Sequence, residues 1–233
     1  MPQKINVRRI VLTINGLVVL SALLFLLNQE IGLFVVPDNS FLESKPCSPP
    51  CWFNIVPGKT SDQTAWQILR EHPSVNQRTL QWFADRKGIE DISWLNKLGG
   101  GQNRLYPRNG TIQAIYLTPD SNLNLGQVVS KMGPPEKVVV EHGFAEFTNS
   151  TNVITIYYPS RGVIVQSKSP SRTQAVRQLI EPNIPVNALL YLSAGSFSEI
   201  VQNAKKIVQA AYWGNPDHLF AQDWHGFGTY EVR

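Results

Sequence analysis

The side chains able to do chemistry gather in two places. Cys47 and Cys51 are the chain's only cysteines and flank Ser-Pro-Pro in "SKPCSPPCWFNIVPGKTS". Near the other end, Asp217, His218, Asp223 and His225 crowd into "NPDHLFAQDWHGFG". Two lone thiols at short spacing outside a reducing compartment most simply pair with each other. Pro49 and Pro50 fix their own φ angles and stiffen the connection. Closing so small a loop restricts the unfolded chain by roughly 2 kcal/mol. A thioredoxin-like redox pair would be C-x-x-C, and a zinc site needs four ligands, whereas the nearest histidine in sequence is His72. The pair therefore reads as a structural disulfide.

The Asp/His cluster is the one place that suggests metal or acid–base work, and a hydrolase site there is the alternative to a binding function. It lacks the H-x-x-x-H and H-E-x-x-H spacings that put two imidazoles on one metal. Phe220, Trp224 and Phe227 around it suit a loop that packs the tail, with "GTYEV" docking as a strand. Ser196 in "AGSFSE" lacks the second glycine of a nucleophile elbow, and its neighbours suffice for a helix capping box. The glycines of "LGGGQ" precede no helix and carry no Lys-Ser/Thr pair, so they read as a turn. No catalytic residue, cofactor or metal ligand is assigned.

The elements that carry these residues begin with an address. Residues 10–27, "IVLTINGLVVLSALLFLL", contain no charge. A bilayer core about 30 Å thick needs roughly 20 such residues, and Asn28 and Gln29 extend the run. Lys4, Arg8 and Arg9 precede it and Glu30 follows, which places the N-terminus in the cytoplasm. A cleaved signal peptide is the alternative; it needs a shorter apolar region and a small-residue site, which residues 28–40 do not offer. Removing Lys4, Arg8, Arg9 and Glu30 from 21 basic and 17 acidic residues leaves 18 against 16. A surplus near +2 gives no concentrated basic face for nucleic acid.

Outside the membrane, helix and strand signals alternate. Thr60 is expected to cap a helix with Gln63 as its partner, Ala65, Trp66, Ile68 and Leu69 form its apolar stripe, and Pro73 stops it. Short β-branched and aromatic segments follow as an antiparallel meander with turns at "DRKG", "LGGGQ" and "PRNG". The scheme then restarts. Asn124 and Gln127 open a second helix, Gly133 and Pro134-Pro135 close it, and "KVVVEH", "AEFTN", "NVITIYYP" and "GVIVQSK" follow as strands. "VNALLYL" is a further strand, and "SFSE" starts a third helix with Ile200, Val201, Ala204, Ile207 and Val208 on its stripe.

The segment "LGQVVSKMGPPEKVVV" resembles the short-helix, Gly-x-Pro, strand signature of BamE/SmpA-type outer-membrane-assembly lipoproteins over residues 119–166. Their compact α+β fold is shared with β-lactamase inhibitor proteins. "PCSPPCWFNIVPGKTS" and the terminal "DWHGFGTYEV" resemble a bacterial family of membrane-anchored or lipid-anchored proteins, without an assigned activity, in which P-C-W-x-x-I-x-P-G opens the exterior part. The chain lacks a lipidation cysteine after its apolar run. The resemblance implies a scaffold used mostly for binding proteins, and a bacterial setting in which "NGT" at Asn109 and "NST" at Asn149 are surface turns.

The reading is an α+β protein: an N-terminal transmembrane helix, then short helices packed on antiparallel sheets in two tandem helix-on-sheet units. Its expected parts are a cytoplasmic tail (1–9), a membrane span (10–29), a linker (30–46), a first exterior unit (47–118) and a second with a C-terminal helix and tail (119–233). The expected function is single-pass, extracytoplasmic binding or scaffolding of a protein or envelope component through an exposed sheet face. Of six tryptophans, Trp82, Trp94, Trp213 and Trp224 are the candidate partner-binding aromatics, because Trp is enriched in binding hot spots. Core packing is the competing use of each.

Overall fold

The computed structural model describes residues 42, 46–84, 90–97, 101–119, 123–142, 151–170, 176–208 and 220–232. The expected cytoplasmic tail, membrane span and most of the linker lie outside these, as do the strand expected at "AEFTN" and the turn at "DRKG". Among the described residues no helix is long and apolar enough to cross a membrane.

Among the described residues the fold is α+β, with three α-helices and a large antiparallel sheet. Helix α1 (Asp62–Glu71) leads into strands β1 (Gln81–Ala84), β2 (Glu90–Trp94), β3 (Asn103–Arg108) and β4 (Thr111–Leu117). Helix α2 (Leu125–Met132) leads into β5 (Lys137–His142), β6 (Thr151–Tyr158), β7 (Val163–Pro170), β8 (Arg177–Ile180) and β9 (Val186–Tyr191). Helix α3 (Phe197–Val208), β10 (Gln222–Asp223) and β11 (Gly228–Glu231) follow as the last described elements. The strand order is β1-β2-β3-β4-β9-β7-β6-β5-β10, and β8 and β11 form a separate two-stranded ribbon. The last strands of the two meanders meet, with Ile115 opposite Tyr191 and Leu117 opposite Leu189. One sheet thus runs through both helix-led halves.

Local chemistry explains most boundaries. Ser61, not Thr60, caps α1: its Oγ accepts from the Thr64 amide at 3.1 Å. Thr60 Oγ1 is committed one turn earlier, accepting from the Val56 amide at 2.8 Å and donating to the Asn54 carbonyl. Asp62 in the first turn and Arg70 in the last suit the helix dipole. Pro73 disfavours helical geometry at His72, whose ψ is 125°. Asn124 and Gln127 form the expected capping box on α2. Ser196 and Glu199 do the same at α3, and the Ser196 backbone and hydroxyl bonds hold the Glu199 carboxyl below its ordinary pKa. Asn109 and Gly110, with φ of 52° and 74°, make the tight left-handed turn that matches strand twist between β3 and β4. After β6, a Cβ at Gly162 would lie 2.2 Å from the Leu192 carbonyl oxygen, so only glycine fits that turn.

Each sheet face has its own core. On one side, Ala65 and Leu69 of α1 and Leu125, Val128 and Met132 of α2 pack on Ile92, Leu105, Ile115, Ile154, Val165 and Leu189. On the other, Ile200, Val201 and Ala204 of α3 pack on Ala114, Tyr157, Ile164 and Leu190. Burial raises the pKa of Tyr157, Tyr158 and Tyr191 well above the ordinary phenol value. The sheet face that would be open in a simple helix-on-sheet unit is therefore capped over its middle strands by α3.

Candidate functional site

Cys47 and Cys51 lie at disulfide distance, with Cα atoms 5.7 Å apart. The chain then makes a two-residue turn: the Trp52 and Ile55 backbones bond to each other in both directions at 2.8 and 3.0 Å. Phe53 and Asn54 at its tip have φ of 46° and 66°. This turn delivers Trp52 and Ile55 into the core, stacks Trp52 on Trp94 at 5.4 Å, and lays Phe53 on His72 at 3.8 Å. The disulfide therefore sits directly before an aromatic clamp that opens the described fold.

Trp94 accordingly belongs to the core. It is 1% exposed and cannot reach a partner. Strand alternation puts Trp94 and Ile92 on the face covered by α1, in the interior of the sheet. Trp82 stands opposite Ile92 on that same face, but on the outermost strand, so it leans on Trp66 at 5.7 Å and stays 38% exposed. Trp213 lies outside the described residues.

The Asp/His cluster resolves into separate structural duties where it is described. Asp223 in β10 accepts from Lys137 Nζ at 2.6 Å on β5. The His225 ring lies flat on Tyr230 at 4.2 Å. Asp217 and His218 lie outside the described residues. Among those described, no group of three or more His, Cys, Asp or Glu side chains could hold a metal ion.

The described part of the tail builds a surface. The Tyr230 hydroxyl accepts from the His225 amide at 3.0 Å and donates to the Gly226 carbonyl at 2.7 Å. Trp224 stacks on the same ring at 5.6 Å and meets Phe227 edge-on at 5.4 Å. Burial raises the Tyr230 pKa, partly offset by the His225 bond. With this bend fixed, β11 pairs with β8, setting Thr229 opposite Leu179 and Glu231 opposite Arg177. The inner side of the ribbon is anchored by a polar strut. Gln178 Nε2 donates to Ser169 Oγ at 3.1 Å, and its Oε1 accepts from Asn152 Nδ2 at 2.7 Å. Asn152 Oδ1 in turn meets His142 Nδ1 at 3.0 Å. Ile180 and Tyr230 fill the core beneath.

Leu179, opposite Thr229 on the outer side, is 51% exposed. Phe227 and Val176, at opposite ends of the ribbon, are 37% and 75% exposed. These three were not singled out in the sequence, because β8 has only four residues, two of them polar, and gives no usable alternation. The strand pattern expected at "GTYEV" was readable, but not its partner. Phe83, 49% exposed on β1, was also missed. Its signal was present: Trp-Phe in consecutive strand positions cannot both face one core.

No family model, no curated protein and no solved structure matches the chain.

Proposed function

We propose that this chain is a single-pass, N-in membrane protein anchored by residues 10–29, whose extracytoplasmic head binds a protein or envelope component. In this reading, the α1-led and α2-led halves are two tandem helix-on-sheet units fused through β4 and β9, as the resemblance to small binding α+β domains implies. The observation that carries the binding reading is the β8–β11 ribbon. It exposes Leu179 along its outer side, with Phe227 at one end and Val176 at the other, on a frame tied down by the Tyr230 stack and the Gln178 strut. Exposed apolar side chains on a rigid support mark interaction surfaces, and holding them in place reduces the entropy lost on binding. This moves the expected contact from the sheet face, capped by α3, to the ribbon, with Trp224 acting from behind it. The hydrolase alternative has no comparable support, since Asp223 and His225 serve different neighbours.

The test is a photoreactive side chain placed at position 179 or 227 in the full-length chain in its native membrane, with exposed Lys59 as the control site. A discrete adduct from 179 and 227 that Lys59 does not give supports the reading. The same adducts from all three positions, or none from the ribbon, would sink it.

A further inference from the structure

The first strand of the sheet presents a second apolar surface, of a different kind. Among the described residues, β1 is outermost in the strand order and pairs with β2 alone. All four of its residues are exposed, and Trp82 and Phe83 project to opposite faces. Edge strands are usually guarded by a charge, a proline or a bulge. Gln-Trp-Phe-Ala contains none of these, and its pairing with β2 runs without a register shift.

We propose that β1 is a self-association edge, pairing antiparallel with β1 of a second copy about a two-fold axis at Phe83. A two-fold normal to the sheet keeps each face in register with itself, so only positions of equal parity can oppose one another. Centring the axis on Trp82 would set two indoles directly opposite each other and leave Phe83 against Gln81. Centring it on Phe83 sets the two phenyl rings together on one face. On the other face it sets each Trp82 over the small Ala84 of the neighbouring copy, twice. The second register sets ring on ring on one face and large over small on the other, and places no polar residue opposite an aromatic one. It also leaves Trp82 in its contact with Trp66. An unrelated strand could occupy the edge, but a second copy brings this large–small match by symmetry alone.

The contact is small. Each aromatic offers at most about 200 Å², far short of the roughly 800 Å² per partner of a stable interface. The association is therefore weak and rises with local concentration, which suits chains held together on one surface.

The test uses the full-length chain in the membranes or fraction where it resides. With Cys47 and Cys51 paired, Phe83→Cys introduces a single reactive thiol. Oxidation should give a covalent dimer, and the double variant Trp82→Cys/Ala84→Cys should do the same. Gln81→Cys should not, because in this register the two copies of residue 81 sit four residues out of step, about 13 Å apart. Equal dimer from all three variants would mean random collision and overturn the proposal. No dimer from either Phe83→Cys or the double variant would also overturn it. So would a Phe83→Cys adduct only to a different protein, which would assign the edge to another partner.

Discussion

Changing Tyr230 to phenylalanine isolates the step by which the tail becomes a surface. The substitution keeps the ring that Trp224 and His225 stack on, at 5.6 and 4.2 Å, and deletes one oxygen. Two hydrogen bonds disappear, one from the His225 amide and one to the Gly226 carbonyl. A fully buried orphan group costs about 1–3 kcal/mol. His225 is exposed and Gly226 half-buried, so water recovers part of the loss, and about 1–2 kcal/mol remains. In a domain of this size that lowers Tm by roughly 2–8 °C. Urea unfolding monitored by tryptophan fluorescence reads the total. Amide exchange then separates two routes: β11 and the facing amides of β8 should lose protection before β6 and β7 do. Tyr230→Leu, which also loses the stacking, should cost more, by about 0.5–1.5 kcal/mol for each aromatic pair. A Tyr230→Phe variant with unchanged stability and unchanged exchange in β8 and β11 would refute the idea that this hydroxyl sets the bend.

Other outcomes follow from the core and the clamp. Burial raises the pKa of Tyr157, Tyr158 and Tyr191, so the unfolded chain releases these protons first. The stability tied to them is intact below about pH 10 and is lost as pH rises toward the folded values. Absorbance of phenolate against pH should show these tyrosines ionising together with unfolding rather than before it. Asn54 sits at φ 66°, where alanine is strained by about 1–2 kcal/mol; Asn54→Ala should destabilise by roughly 1 kcal/mol and Asn54→Gly should change stability by less than about 0.5 kcal/mol, both read by urea melts. Replacing Cys47 and Cys51 by serine should cost about 2 kcal/mol under oxidising conditions and nothing further when reductant is added.

What could be read in the sequence divides along the range of the interactions. The caps at Asn124–Gln127 and Ser196–Glu199, the turn at Asn109–Gly110 and the apolar stripes of three helices depend on residues a few positions apart, and they are legible. The Thr60 expectation failed by one residue, because adjacent Thr and Ser can both cap and only the turn behind Thr60 decides which is free. Strand order is not local. Nothing in "TIQAIYL" or "VNALLY" says that β4 and β9 pair, and that pairing makes one sheet of the two meanders. The division of the tryptophans follows from it. Trp94 and Trp82 share a face, and only position in the strand order buries one and exposes the other. The ribbon was hidden for the same reason, since β8 acquires its strand character from a tail some fifty residues further on.

The most direct test of the binding surface compares hydroxyl-radical labelling of the chain in its native membrane with labelling of the purified full-length chain. Leu179 and Phe227 should be labelled less in the native membrane, while Phe53, half-buried at the clamp, should be labelled equally in both. Equal labelling of Leu179 and Phe227 in the two states would contradict the binding reading.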